Sequence, residues 1–600
     1  MASSELPLNI HHDGKPRAAP VILDVFLAVL VAGFGFTVRY LDHRDFANEQ
    51  FITLSQAQAW LAGNWPIRDY TQYGSILTDG MSALAQMLFG AAPLSELILC
   101  VGALAVAAAI TFWVTTRITG FRLLGAFAAL LQIWAAPVLF AYPKLAIYPV
   151  LLALSLLYVR RQTRFRLILL AAWSATAFLI RQDHGVYAFI AGALLVASVH
   201  YSQERAMAIR TAQRAGFFVL AFLLFLTPFL VYVQAQMGLP SYVRLGLEVS
   251  RLEANRSAGS VPMFTISSAA LLSRENWGAF LFFLCYLLPG FAFLLWWLTG
   301  RRQPAPLQDT RSLVPALCVL AMVCAVGLLR LETRRLPDVF GTFPILLCWS
   351  IATLLAISES RWRVASRAMA FVLIGLVSVG VYRTGGEYGP LLQETVAHPL
   401  EAFASAEETT RSAREWPWSA QWPEDEEWRL AVYVHDCTDE DDRLFVAWQA
   451  PEFFYFSRRV FAGREGAFLE PITVASRSLR FPETYEQRVL DSWQHQSVPI
   501  VLTSDSDQSD AEFATLFPAL QHHLETAYIV AGTTTWRGRP SITVHVDKNR
   551  IPTRTDPEFG LPCFTEDPRT EQHREAQDHG GHERSGQELH HAERVAATPR

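Results

Sequence analysis

Between residues 21 and 384 the sequence returns repeatedly to apolar runs close to the ~20 residues that a helix needs to cross a lipid hydrocarbon core. The first is "VILDVFLAVLVAGFGFTV" at 21–38. Further runs fall near 93–115, 121–141, 145–159, 167–181, 185–200, 216–236, 278–298, 312–329, 336–357 and 368–383. Hydrophobic residues make up 52% of the 600 and charged residues 18%. So little charge cannot solvate a soluble chain of this size. The expectation is a mainly α protein: a polytopic membrane helical domain of about eleven spans. Pro137, Pro143 and Pro149 predict broken or tilted helices in the middle of the set. The net charge of −5 argues against a nucleic-acid partner.

Arginine sets the orientation. If the first twenty residues, with Lys15 and Arg17, are a cytoplasmic tail, alternate loops should be basic. They are: Arg117 and Arg122, "RRQTRFR" at 160–166, Arg205 to Arg214, Arg301 to Arg311, and Arg361 to Arg367. Eleven crossings then put the C-terminus on the periplasmic or exoplasmic side of the inner (plasma) membrane. The first apolar run is longer than a signal-peptide core and no small-residue cleavage site follows it, so it reads as a retained span.

After residue 384 the pattern changes. "RLAVYVHD", "RLFVAWQA", "VPIVLTSDS" and "SITVHVD" have the look of short buried strands, with "AEFATLFPALQHHL" as a helix between them. A small exoplasmic α/β domain over 385–567 follows from this. Five of the seven cysteines lie in apolar runs; the other two, Cys437 and Cys563, lie in this domain and could pair in an oxidising compartment. Residues 568–600, "TEQHREAQDHGGHERSGQELHHAERVAATPR" in their last part, read as a disordered, solvated tail despite their histidines.

The first outer loop, 40–92, is long and carries the most informative charges. Asp42, Asp45 and Glu49 would share one helical face just beyond the first span. Carboxylates so close repel each other. They persist where a cation or a substrate hydroxyl sits among them, or as ordinary solvated charges at a helix end. "QFITLSQAQAWLAGNW" has helical period and is expected to lie along the interface. Asp69, in "PIRD", is a further acid, or a turn residue after Pro66; Asp79 reads as an ordinary loop charge. Later outer segments bring cations to the boundary: Lys144 in "AYPKLAIYP", Arg181 in "LIRQDHG", and Arg330, Arg334 and Arg335 in "LLRLETRRLPDVF". Cations there run against the inner-side bias, and guanidinium suits phosphate. Local ion pairs, Arg181 with Asp183 and Arg330 with Glu332, are the plainer account. No CxxC pair or other metal spacing is present, although the acidic cluster would admit a divalent cation.

"NEQFITLSQAQAWLAGNWPIRDYTQYG" resembles the first outer loop of the polytopic GT-C glycosyltransferase superfamily, the protein O-mannosyltransferase-like, aminoarabinose-transferase-like and related lipopolysaccharide glycosyltransferases. Glu49, Ala59, Leu61, Gly63, Pro66, Arg68, Asp69, Tyr73 and Gly74 carry the match. Where that pattern often has Asp-Glu, this chain has Asn48-Glu49, and Asn is no base. The resemblance implies a GT-C-like domain over 21–384. It implies transfer of a hexose or pentose from a polyprenyl-phosphate donor to a glycan, lipid or protein acceptor on the outer face, with inversion. Asp45 and Glu49, unranked, are the expected catalytic carboxylates, with Asp69 third. Lys144, Arg181, Arg330, Arg334 and Arg335 would bind the donor phosphate. A transporter or flippase, expected to show inverted repeats and midplane charges, and a lipid-linked glycan polymerase or ligase are the competing classes. The latter would centre on a later outer loop, and 237–277, with Arg244, Glu248, Arg251 and Arg256, keeps it open.

Overall fold

The computed structural model describes residues 18–41, 48–72, 74–135, 142–200, 205–256, 262–267, 273–299, 305–329, 336–357, 360–384, 397–415, 426–448, 450–465, 483–504, 513–536 and 539–565. The chain divides into two compact units. One comprises Met1–Arg44, Leu97–Thr227 and Gly259–Thr409; the other comprises Asp45–Glu96, Pro228–Ala258 and Thr410–Arg600.

The first unit is helical. It begins with α1 (Ala18–Leu41). Ile22, Val25, Phe26 and Val29 of α1 are more than half exposed. Each apolar side chain left in water forgoes roughly 1.5–3 kcal/mol. A helix that displays four of them in two turns is built for lipid. Among the described residues, eight helices are long and apolar enough to cross a membrane, from Ile22–Leu41 to Trp362–Thr384. Three further expected spans are the shorter helices Arg122–Ala135, Arg164–Ile180 and Phe343–Ala356. The last of these is buried on every side from Phe343 to Leu354, as expected for a helix that is apolar all round. The chain is a multi-pass membrane protein.

The second unit holds a five-stranded sheet. In chain order the strands are β1 (Arg443–Val446), β2 (Val460–Phe461), β3 (Ile500–Ser504), β4 (Tyr528–Trp536) and β5 (Arg539–Asp547). Their spatial order is β2-β1-β3-β5-β4. β1 runs parallel to β2 and β3, whereas β5 pairs antiparallel with β3 and β4. "RLAVYVHD" is not a strand: it belongs to the helix Glu426–Cys437. Leu430, Val434 and Cys437 are all buried in the core of the unit, and a spacing of four and three residues puts them on one helical face. That shared face outweighs the strand preference of Val432, Tyr433 and Val434. Cys437 and Cys563 form a disulfide that closes this core.

The long loop after the first span, from Asp45, belongs to this second unit. Its helices are α2 (Asn48–Leu61) and α3 (Ile76–Phe89). α2 is not an interfacial helix. Phe51, Leu54 and Ala57 are buried, but so are Gln50, Ser55 and Gln56. Its apolar side packs on the aromatic helix Pro451–Ser457, with the Phe51 ring centroid 5.8 Å from Tyr455 and 5.1 Å from Phe456. Tyr70 meets Phe461 edge-on at 5.4 Å, and the Arg443 guanidinium donates to the Asn64 side chain at 2.8 Å. Loop and sheet thus share one apolar core. α3 keeps the interfacial character: Leu84, Met87, Leu88 and Phe89 at its end are each more than half exposed.

Candidate active site

Of the three carboxylates after α1, Asp42 and Asp45 lie outside the described residues, and Glu49 stands at the second position of α2. Arg330, Arg334 and Arg335 also lie outside the described residues, as do Tyr73 and the tail from 566 onward. Asp69, Lys144 and Arg181 are described.

Asp69 is set in a tight turn. Ile67 takes a left-handed φ of 69°, and Gly74 follows at 95°. The Asp69 carboxylate accepts the Trp65 N–H at 2.7 Å and pairs with Arg68 at 2.6 Å. Partial burial pushes its pKa up, but the Arg68 hydrogen bond, the Trp65 amide and the charges of Arg68 and Arg443 outweigh this and hold it below the ordinary carboxylate range. These are the bonds of a turn residue, and a carboxylate held so firmly in its ionised form is a poor proton acceptor.

The next link is Gln72. Its carbonyl accepts the N–H groups of Gly74 and Ser75 at 2.6 and 2.9 Å, and its amide donates to the Ser75 hydroxyl and to Asp79, both at 2.9 Å. Asp79, in the first turn of α3, is only 1% exposed. The Gln56 amide, turned with its nitrogen toward Asp79, lies 3.2 Å from both carboxylate oxygens. Burial pushes the Asp79 pKa up; the Gln72 hydrogen bond opposes this and the Glu96 charge adds to it, leaving it at about 8. Glu96 in turn accepts from the Ser82 hydroxyl at 2.5 Å. The Gln86 carbonyl, on the same face of α3, is buried and accepts no hydrogen bond among the described residues. Sequence alone reads Asp79 as an ordinary loop charge. Its partners lie on three different elements, and spacing does not reveal them.

In the membrane unit Lys144 and Arg181 are both paired. Arg181 lies at the corner between the Arg164–Ile180 and Gln182–His200 helices. Its Nε donates to Asp183 at 3.1 Å, and the His184 backbone N–H donates to the same oxygen at 2.9 Å. Asp183 therefore also serves the open N–H groups of the following helix. Gly185 makes the corner possible: a Cβ there would sit 2.1 Å from the Phe178 Cα. Lys144, buried, faces Asp338 at 3.8 Å. Lys144 and Arg181 are both charged neighbours of Asp183 and His184, and Asp338 also acts on His184. His184 is 1% exposed and stacks on Tyr148 at 5.4 Å. Neither of its ring nitrogens has a hydrogen-bond partner among the described residues. The structure thus gathers Lys144, Arg181, Asp183, His184 and Asp338 in one unit. Asp338 and His184 are additions to the expected set. The signal for Asp338 was an acid beside Pro337 at the start of the apolar run 336–357, where an unpaired charge is costly.

No family model matches the chain. No curated protein matches it either. Among solved structures it is similar to ArnT from Cupriavidus metallidurans bound to undecaprenyl phosphate, at 14% identity and a TM-score of 0.41, over 88% of this chain and 98% of that one. The apo form of the same protein gives 14% identity, a TM-score of 0.40 and the same coverage.

Proposed function

We propose that this protein is an integral membrane glycosyltransferase that moves a sugar from a polyprenyl-phosphate donor to an acceptor hydroxyl. The observation that carries the reading is the cluster of Lys144, Arg181, Asp183, His184 and Asp338 at the ends of apolar helices. Lys144 is buried and Arg181, Asp183 and Asp338 are partly buried, and gathering two cations and two carboxylates beside lipid is costly unless they are matched to each other and to a ligand. Among the described residues neither His184 ring nitrogen is hydrogen-bonded, and the pair suits an anionic oxygen or a hydroxyl. A donor phosphate supplies such oxygens, and its growing charge as the sugar leaves is what nearby cations stabilise. The motif of the first outer loop supports the same class.

In this reading Glu49 or Asp45 takes the acceptor's proton and the freed oxygen attacks the anomeric carbon from the side opposite the phosphate. The bond to the phosphate oxygen breaks, the configuration inverts, and the polyprenyl phosphate keeps the electron pair. Asp69 is left to hold the turn. The Cys437–Cys563 disulfide favours an oxidising, outer-side location for its domain. The test is donor-dependent transfer by purified Arg181→Ala and His184→Ala variants. A rise in the donor KM with inserted, folded protein is the expected result. Unchanged donor kinetics in both would assign the cluster to structure alone.

A further inference from the structure

A polar cavity of about 540 Å³ opens in the membrane unit, lined by Asp24, Arg117, Arg122, Arg160 and Asp309 together with apolar Phe121 and Leu123. It is separate from the cluster above. Lys144 and Arg160 stand near opposite ends of one apolar segment, Pro143–Arg160. At 1.5 Å per residue they lie about 24 Å apart along the helix axis.

The charges of the cavity do not cancel. Asp24, almost fully buried, is held by Arg117 at 3.0 Å and Arg122 at 2.7 Å. One carboxylate therefore occupies two guanidinium groups. The Arg117 Nε is buried and has no acceptor among the described residues. Arg160 makes no hydrogen bond or ion pair among the described residues, although Asp309 and Arg117 are its charged neighbours. Among the described lining residues, three cations against two carboxylates leave a charge of +1, with donors of Arg117 and Arg160 unused. Basic residues at the ends of spans are common because of the inner-side bias. A purely topological role, however, needs no cavity. A volume of several hundred Å³ is the size of a small-ligand site.

The rim adds a second requirement. Phe121 is 51% exposed and Leu123 is 86% exposed, and both line the same cavity as the arginines. Guanidinium groups beside bare apolar side chains at the end of a span match a head group with its acyl chains attached.

We propose that this cavity binds a phosphate ester, with Arg160 and Arg117 donating to its oxygens and Phe121 and Leu123 resting on the chains of the lipid that carries it. Free phosphate shares the recognising chemistry, and the test separates the two sources. The inference stands apart from the proposed transfer reaction, since it uses none of that cluster's residues.

Full-length protein in detergent is titrated with phosphatidylglycerol, with diacylglycerol of the same chains, and with inorganic phosphate, and the bound mass is read by native mass spectrometry. Wild type should retain one phosphatidylglycerol and no diacylglycerol. Arg160→Gln should weaken that retention about tenfold, the usual size of one charge-assisted contact. Asp309→Asn removes a repelling carboxylate and should strengthen it several-fold, so a poorly folded Arg160 variant does not end the test. Arg363→Gln, exposed on the Ser360–Thr384 helix, should change nothing. Displacement of the lipid by inorganic phosphate would identify the bare anion as sufficient; failure to displace it would identify the lipid as the source. Equal retention in wild type, Arg160→Gln and Asp309→Asn, or equal retention of diacylglycerol, would overturn the proposal.

Discussion

Asp79→Asn is the most quantitative perturbation the structure offers. The side chain is 1% exposed, with its pKa raised from 3.8 to about 8 by burial and by Glu96. Below pH ~4 the acid is protonated whether folded or unfolded, so it exerts no pH effect. Between ~4 and ~8 only the folded state holds the proton, and stability falls as pH rises, by about 1.4 kcal/mol per pH unit. Above ~8 both states are ionised and the loss is complete. At pH 7 the accumulated cost is on the order of 4 kcal/mol. Asn has the same shape and does not titrate. Its carbonyl keeps the Gln72 hydrogen bond, and the Gln56 amide, turned to present its carbonyl instead of its nitrogen, accepts from the new N–H groups. The variant should therefore match or trail wild type at pH 5 and overtake it progressively toward pH 8. The pH-dependent part of the gap should be roughly 10 °C in apparent Tm for a unit of this size. Purified protein melted at pH 5, 6, 7 and 8, followed by tryptophan fluorescence, reads this directly. A gap that does not change with pH would mean that Asp79 ionises near its ordinary pKa, and the argument from burial would fail.

Glu49→Gln and Asp45→Asn preserve size, and loss of the true base should lower turnover by about 10²–10⁴-fold with little change in donor affinity; single-turnover assays of both variants distinguish them. Asp69→Asn should cost stability, through its turn, more than turnover, which melting and rate measurements on one sample would separate. Removing the Cys437–Cys563 bridge frees a loop with a sequence separation of 126 residues. It should destabilise the sheet unit by up to roughly 5 kcal/mol, seen as earlier proteolysis of that unit in reducing buffer; an unchanged cleavage profile would show that the core holds without it.

The membrane helices were legible because run length is a local property: each span declares itself within about twenty residues. The Arg181–Asp183 pair was legible for the same reason, its partners being two positions apart. What sequence missed was nonlocal. Lys144 finds Asp338 only because the Pro143–Arg160 segment and the stretch after Leu336 come together in three dimensions. Asp79 looked ordinary because Gln56, Gln72 and Glu96 surround it only once the loop has folded. The first outer loop looked amphipathic because its glutamines are polar in composition. In the fold Gln50 and Gln56 are buried, and the apolar face is taken up by Phe454, Tyr455 and Phe456 from the far end of the chain. "RLAVYVHD" failed differently: eight residues rich in Val and Tyr satisfy both periods, and length did not arbitrate.

The proposed reaction consumes a polyprenyl-phosphate sugar. Lipid extracts from a strain lacking the gene, compared by mass spectrometry with the same strain carrying it, test this most directly. One polyprenyl-phospho-sugar should accumulate in the deletion. That species should clear on complementation with the wild-type chain and should not clear with a variant carrying both Asp45→Asn and Glu49→Gln. Identical polyprenyl-phospho-sugar profiles in all of these strains would contradict the proposed reaction.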